Sequence, residues 1–189
     1  MRAKYIYILL TMLILALVLG CERPPLEEME RAREAVFRAE NDADAVQYAG
    51  STLSRAQNAL RLMLTEAESK RYDTAGIHAA EAIAAAERAI AEGRAAASRI
   101  REEAASIITS LRTEIEETGR NINGARYSLM DLDYESLEDR LRNAWYITDQ
   151  AQDDYAAGRY QSALDRARAV RADLFEINQM ISNAVTRGK

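Results

Sequence analysis

The last proline of this 189-residue chain is Pro25, and the 164 residues after it contain no other. Proline removes a backbone donor and clashes with the preceding turn, so it is the strongest helix breaker; glycine is next and alanine is the best helix former. A chain with 35 Ala, 8 Gly and no proline beyond position 25 therefore predicts an all-α fold and excludes sheet architectures. Alanine also supplies more than a third of the 48% hydrophobic fraction. The core is lean in large side chains, and helices can bury enough only where they approach closely over Ala.

Charge and rare residues narrow the function classes. The formal net charge is −5, and without Arg2 and Lys4 the balance is 23 basic against 30 acidic residues. A net acidic surface repels phosphate backbones, so no nucleic-acid partner is expected. Cys21 is the single cysteine, which leaves no intrachain disulfide and no cysteine-based metal site.

The first 20 residues have the layout of a secretion signal: Arg2 and Lys4, an apolar run from Tyr5 to Leu19, then small Gly20. About 20 residues are needed to span a membrane comfortably, and this run is shorter. Val18-Leu19-Gly20-Cys21 resembles a bacterial lipobox. That resemblance implies cleavage before Cys21, with a diacylglyceryl group on its sulfur and an acyl chain on the freed amine. No other cofactor is expected. Two or three chains anchor stably where one does not. Residues 1–20 are thus read as a cleaved signal peptide and 21–25 as the lipidated Cys with a short Pro linker. Glu22 stands where an Asp would resemble an inner-membrane retention signal, which points to the periplasmic face of the outer membrane.

Beyond Pro25 the apolar residues recur at helical spacing. Leu26, Met29, Ala32, Val36, Ala39 and Ala43 mark a first helix, and Ala49, Leu53, Ala56, Leu60, Met63 and Ala67 a second. A third stripe runs from Ala75 through Ala79, Ala82, Ala86, Ala89, Gly93, Ala96 and Ile100 to Ile115. Its shift of spacing near Ile100 matches an in-phase step of about 11 residues, which continues a helix of coiled-coil type. The phase persists to Leu132, but Gly119 and Gly124 predict a break. At an offset of 88 residues Ala49, Leu53, Ala56, Met63, Arg71-Tyr72, Ala75, Ala79, Ala82 and Ala86 align with Leu137, Leu141, Ala144, Ala151, Arg159-Tyr160, Ala163, Ala167, Val170 and Leu174. Asp42-Ala43-Asp44 parallels Asp131-Leu132-Asp133, each supplying a side-chain cap to the helix that follows. We therefore expect an elongated bundle of two tandem units, 26–117 and 118–189, each a short helix followed by a long antiparallel hairpin.

The pattern Gly158-x-Tyr160-x-x-Ala163 resembles the inner turn of tetratricopeptide repeats, and Lys70-x-Tyr72-x-x-Ala75 varies it. The arms are too long for a true array of such repeats; only the local packing is expected to be similar. A wider resemblance covers Pro25 to about Ala97. The run Ala32-x-x-Ala35-x-x-x-Ala39, then Asp42-Ala43, Tyr48-Ala49, Leu53-x-x-Ala56 and Tyr72-x-x-Ala75-x-x-x-Ala79-x-x-Ala82 is similar to an Ala-rich family of unknown function among bacterial envelope lipoproteins, some of them OmpA-associated. It implies an envelope location and a helical fold, and no catalytic residue.

The chemistry-bearing residues do not assemble. His78 and Glu81, one helical turn apart, resemble half of a carboxylate-bridged metal motif, but such centres use several Glu and usually two His, and His78 is the only one. No metal site, and no catalytic residue, is assigned. The aromatic residues say more: of ten beyond the leader, seven lie between Tyr127 and Phe175. Trp145, Tyr155 and Tyr160 fall on or beside core stripes. Tyr146, two positions after Ala144, points about 200° away and should face solvent or another surface. Aromatic side chains are favoured anchors at interfaces, so Trp145, Tyr146, Tyr155 and Tyr160 are the candidate binding residues. The chain reads as a non-catalytic, lipid-anchored scaffold or adaptor of the cell envelope whose partners are the membrane, other envelope proteins and a possible second copy of itself. The rival is a periplasmic ligand-binding or accessory component of a transporter, with an aromatic pocket in the second unit.

Overall fold

The computed structural model describes residues 25–187. They form six α-helices and, among the described residues, no strand: α1 Leu26–Glu40, α2 Ala43–Tyr48, α3 Gly50–Glu68, α4 Tyr72–Tyr127, α5 Tyr134–Ala156 and α6 Tyr160–Arg187. The fold is all-α, as the composition requires. No helix among the described residues is long and apolar enough to cross a membrane. Contacts divide the chain into two compact units, Met1–Arg94 and Ala95–Lys189.

In the first unit α1, α2, α3 and the start of α4 share a core that is almost entirely alanine, with Met29, Val36, Leu53 and Met63 as its larger members. Glu27 and Glu28 in the first turn of α1 suit the positive end of its dipole. Asp42 caps α2 by accepting a hydrogen bond from the Ala45 amide at 3.0 Å. Its carboxylate also accepts from Arg94 Nη2 on α4 at 3.1 Å. These bonds, the backbone one first, hold the Asp42 carboxyl below its ordinary pKa. Beside it, Gly93 is buried against the α2 backbone: a β-carbon there would stand 2.5 Å from the Ala45 nitrogen. A side chain is sterically forbidden at that point, and its absence is what lets α2 lie on α4.

The second unit packs larger groups. Ile107, Leu111 and Ile115 of α4 meet Ala144 and Ala151 of α5 and Leu164, Val170 and Leu174 of α6. Leu111 and Ile115 are fully buried, and burial of such a side chain contributes about 1.5–3 kcal/mol. Ile122, Leu137 and Ile177 form a further patch towards the end of α4. Asp133 caps α5 by accepting from the Ser136 amide at 3.1 Å.

Two expectations are corrected. Helix α4 does not break at Gly119 or Gly124; it runs unbroken to Tyr127. A glycine costs a helix only about 1 kcal/mol relative to alanine, and Ile115, Thr118, Ile122 and Ala125 around it are all buried. Hence no separate short helix opens the second unit. The division at 117/118 likewise falls inside α4, whereas contacts divide the chain at 94/95, because α4 from Ala104 onward packs with α5 and α6.

Candidate functional site

The turn between α5 and α6 is set by Gly158, whose φ of +78° is the left-handed conformation that closes a helix. The Arg159 amide donates to the Asp154 carbonyl at 2.9 Å and the Gly158 amide to the Tyr155 carbonyl at 3.0 Å. Between α3 and α4 Lys70 has φ of +59°. There the Arg71 amide donates to the Glu66 carbonyl at 2.9 Å and the Lys70 amide to the Ala67 carbonyl at 3.0 Å.

Side chains lock both turns. Asp154 is buried. Its Oδ2 accepts from the Ser162 hydroxyl at 2.6 Å and from Arg166 Nε at 2.8 Å, and its Oδ1 accepts from Arg159 Nη2 at 2.6 Å. The Ser162 hydroxyl, then Arg159 and Arg166, hold its carboxyl far below the usual carboxylate range. In the first unit Arg71 Nη2 donates to Glu66 Oε1 at 2.9 Å, and that bond lowers the Glu66 pKa.

The four candidate aromatic residues separate into two kinds. The rings of Tyr155 and Tyr160 meet edge to face, 5.1 Å between centroids and 64° between planes. The Arg101 guanidinium of α4 lies 5.6 Å from the Tyr160 ring centre, and Tyr155, more than Tyr160, raises its pKa. Trp145 packs half-buried against the core, with the Arg112 guanidinium 5.8 Å from its ring centre. Arg112 in turn donates to Gln152 at 3.1 Å and to Asp149 at 3.3 Å. These three rings are packing groups, spread over two places, and those of Tyr160 and Trp145 are topped by cations. Tyr146 is 63% exposed. It stands on the outer face of α5 among exposed Asp139, Arg142, Asn143, Asp149 and Asp153, as its angle from Ala144 predicts.

Two surface features escape the pattern. Phe175 of α6 is also 63% exposed and borders a shallow cleft of about 350 Å³ with Thr118, Asn121, Arg171 and Asn178. It stands only one position after the core residue Leu174, about 100° round the helix, the offset at which Trp145 is half-buried beside Ala144, so the two-position offset that marks Tyr146 does not find it. The second is a cleft of about 790 Å³ between the α4–α5 loop and the end of α6; an apolar Leu129 inside a loop is its sequence trace.

His78 is half-buried, and among the described residues its Nδ1 has no hydrogen-bond partner, standing 3.6 Å from Glu81 Oε2. The nearer partner of Glu81 is Arg55, whose Nη2 donates to it at 3.0 Å and lowers its pKa. Among the described residues no group of three or more His, Cys, Asp or Glu could hold a metal ion. Cys21 and the leader lie outside the described residues. No family model, curated protein or solved structure matches the chain.

Proposed function

We propose that this chain is a non-catalytic, lipid-anchored scaffold or adaptor of the bacterial cell envelope, held by Cys21 at the periplasmic face of the outer membrane and docking other envelope proteins on its second unit. The observation that carries the docking surface is the exposure of Tyr146, alone among the four candidate aromatic residues. Its neighbours Trp145, Tyr155 and Tyr160 spend their rings on packing and on Arg112 and Arg101, which favours a surface contact over an aromatic pocket. An exposed aromatic ring ringed by polar side chains is the arrangement of a binding anchor with a polar rim. The anchor rests on the lipobox-like Val18–Cys21. Only Glu22 to Pro25 separate it from α1, and four residues reach about 13–14 Å, so the first unit stays near the bilayer. We further read the α3–α4 and α5–α6 turns, with the same hydrogen bonds 88 residues apart, as copies of one hairpin with local packing like that of tetratricopeptide repeats.

The test has two arms. Labelled fatty acid should enter the wild-type chain and not Cys21→Ser; equal incorporation sinks the anchor. A photo-crosslinking amino acid at position 146 should capture a discrete envelope protein in cells, and one at exposed Glu135 should not. Recovery of that protein should fall with Tyr146→Ala; unchanged recovery sinks the docking surface.

A further inference from the structure

The end of the second unit away from the α5–α6 turn carries apolar groups that its own packing does not cover. Tyr127 is 88% and Leu129 91% exposed, and Met180 and Val185 are exposed as well. Leu129, Met180 and Val185 line the cleft of about 790 Å³ between the α4–α5 loop and the last turns of α6. Leu129 also has φ of +54°, closing α4 as Gly158 closes α5: the Met130 amide donates to the Ala125 carbonyl at 3.2 Å and the Leu129 amide to the Arg126 carbonyl at 3.0 Å. Glycine or asparagine takes that conformation with less strain. The chain holds a large apolar side chain there, strained and projecting into water.

The charges around the cleft indicate its occupant. Its only ionisable lining residues are Asp131 and Arg187, and neither makes an ion pair or a side-chain hydrogen bond among the described residues. One acid, one base and an apolar centre form a self-complementary patch. In an isologous dimer, where residue i of one copy meets residue j of the other and the reverse, Asp131 of each copy would pair with Arg187 of the other across the apolar side chains. We infer that a second copy of this chain docks here, Leu129 and Val185 at the centre of the contact and two Asp131–Arg187 pairs at its rim. The cleft is lined by ten residues, against about 20–30 a side for a standard stable interface. The dimer is therefore weak and reversible, and confinement of both copies to one membrane would favour it by raising their effective concentration.

The contact lies wholly within residues 128–187 and does not depend on the anchor, so Cys21→Ser leaves it intact. Sedimentation of the full chain in mild detergent should show a concentration-dependent monomer–dimer equilibrium. Leu129→Asp should abolish it with an unchanged helical circular dichroism spectrum. Asp131→Arg and Arg187→Asp should each weaken it about tenfold or more, and the double reversal should restore it to within a few-fold. A chain that stays monomeric throughout, association indifferent to Leu129→Asp, or a double reversal no better than the single ones overturns the proposal. So does a crosslink from position 185 in cells that captures another protein and never a second copy.

Discussion

Arg159 grips the carboxylate of Asp154 across the five residues of the α5–α6 turn, donating through Nε at 3.0 Å and Nη2 at 2.6 Å. Its own amide donates to the Asp154 carbonyl at 2.9 Å. One residue thus closes the turn through backbone and side chain together. Ser162 and Arg166 reach the other carboxylate oxygen from α6, so a buried acid is fully paired and fixes where the returning helix begins.

Asp154→Asn should lower the melting temperature of the second unit at neutral pH, because it removes the charge that two guanidinium groups share and leaves the burial. The pH dependence has a definite sign. The folded carboxyl titrates far below its unfolded value, which is about 3.9, so its contribution is complete above that value and is lost as the pH falls below it. The gap between wild type and Asp154→Asn should stay constant from about pH 5 upward and narrow in acid. Fluorescence of Trp145, the only tryptophan, reads the transition. A gap that widens in acid would refute the assignment.

Lys70 and Gly158 hold the same left-handed position of the two turns, and only one of them is a glycine. A β-carbon in that conformation costs about 1–2 kcal/mol, part of which glycine returns as greater freedom of the unfolded chain. Lys70→Gly should therefore stabilise by about 0.5–1 kcal/mol and Gly158→Ala destabilise by about as much. Urea denaturation gives both values, and equal signs would contradict the shared turn geometry.

Asp42 and Asp133 both cap helices, and replacing either by alanine should cost about 1 kcal/mol. Asp42→Ala should cost more, since Asp42 also accepts from Arg94 of α4 and fixes α2 on that helix. Chemical denaturation of the two variants tests the order; an equal or smaller loss for Asp42→Ala means the Arg94 bond adds nothing.

The seams were legible because burial leaves a periodic trace: Ala49, Ala56, Met63, Ala75 and Ala79, and, 88 positions further on, Leu137, Ala144, Ala151, Ala163 and Ala167, are all buried. The caps and the hairpin turns were legible because Asp, Gly and Tyr act there through local geometry. Continuity of α4 through Gly119 and Gly124 was not, since the local cost of glycine is visible in sequence and the packing that outweighs it is not. Among the aromatic residues, Tyr146 declared itself by its angle from Ala144. The pairing of Tyr155 with Tyr160 under Arg101 joins residues from three helices, and no spacing along one stripe encodes it. Of the loop cleft only apolar Leu129 left a trace in the sequence: its walls come from segments about 50 residues apart, and it is a matter of what packing leaves uncovered.

Gly93 and Gly124 stand on one helix and should respond to alanine with opposite signs. At Gly124 a β-carbon meets nothing within 4 Å, so Gly124→Ala should stabilise by the propensity difference of about 0.8–1 kcal/mol. At Gly93 the same β-carbon would lie 2.5 Å from the Ala45 nitrogen and 2.6 Å from the Asp44 carbonyl oxygen. Those are backbone atoms of α2, which cannot rotate aside as a side-chain end can. Relief requires α2 to lift from α4, loosening Ala45 from the core and stretching the Asp42–Arg94 pair, and overpacking of this kind costs about 1–3 kcal/mol. That exceeds the helix-propensity gain across most of its range, so Gly93→Ala should be net destabilising. Thermal unfolding followed by circular dichroism distinguishes the two. A stabilised Gly93→Ala would mean that α2 does not lie on the Gly93 backbone, and with it would fall the account of how an alanine-lined first unit brings its helices close enough to fold.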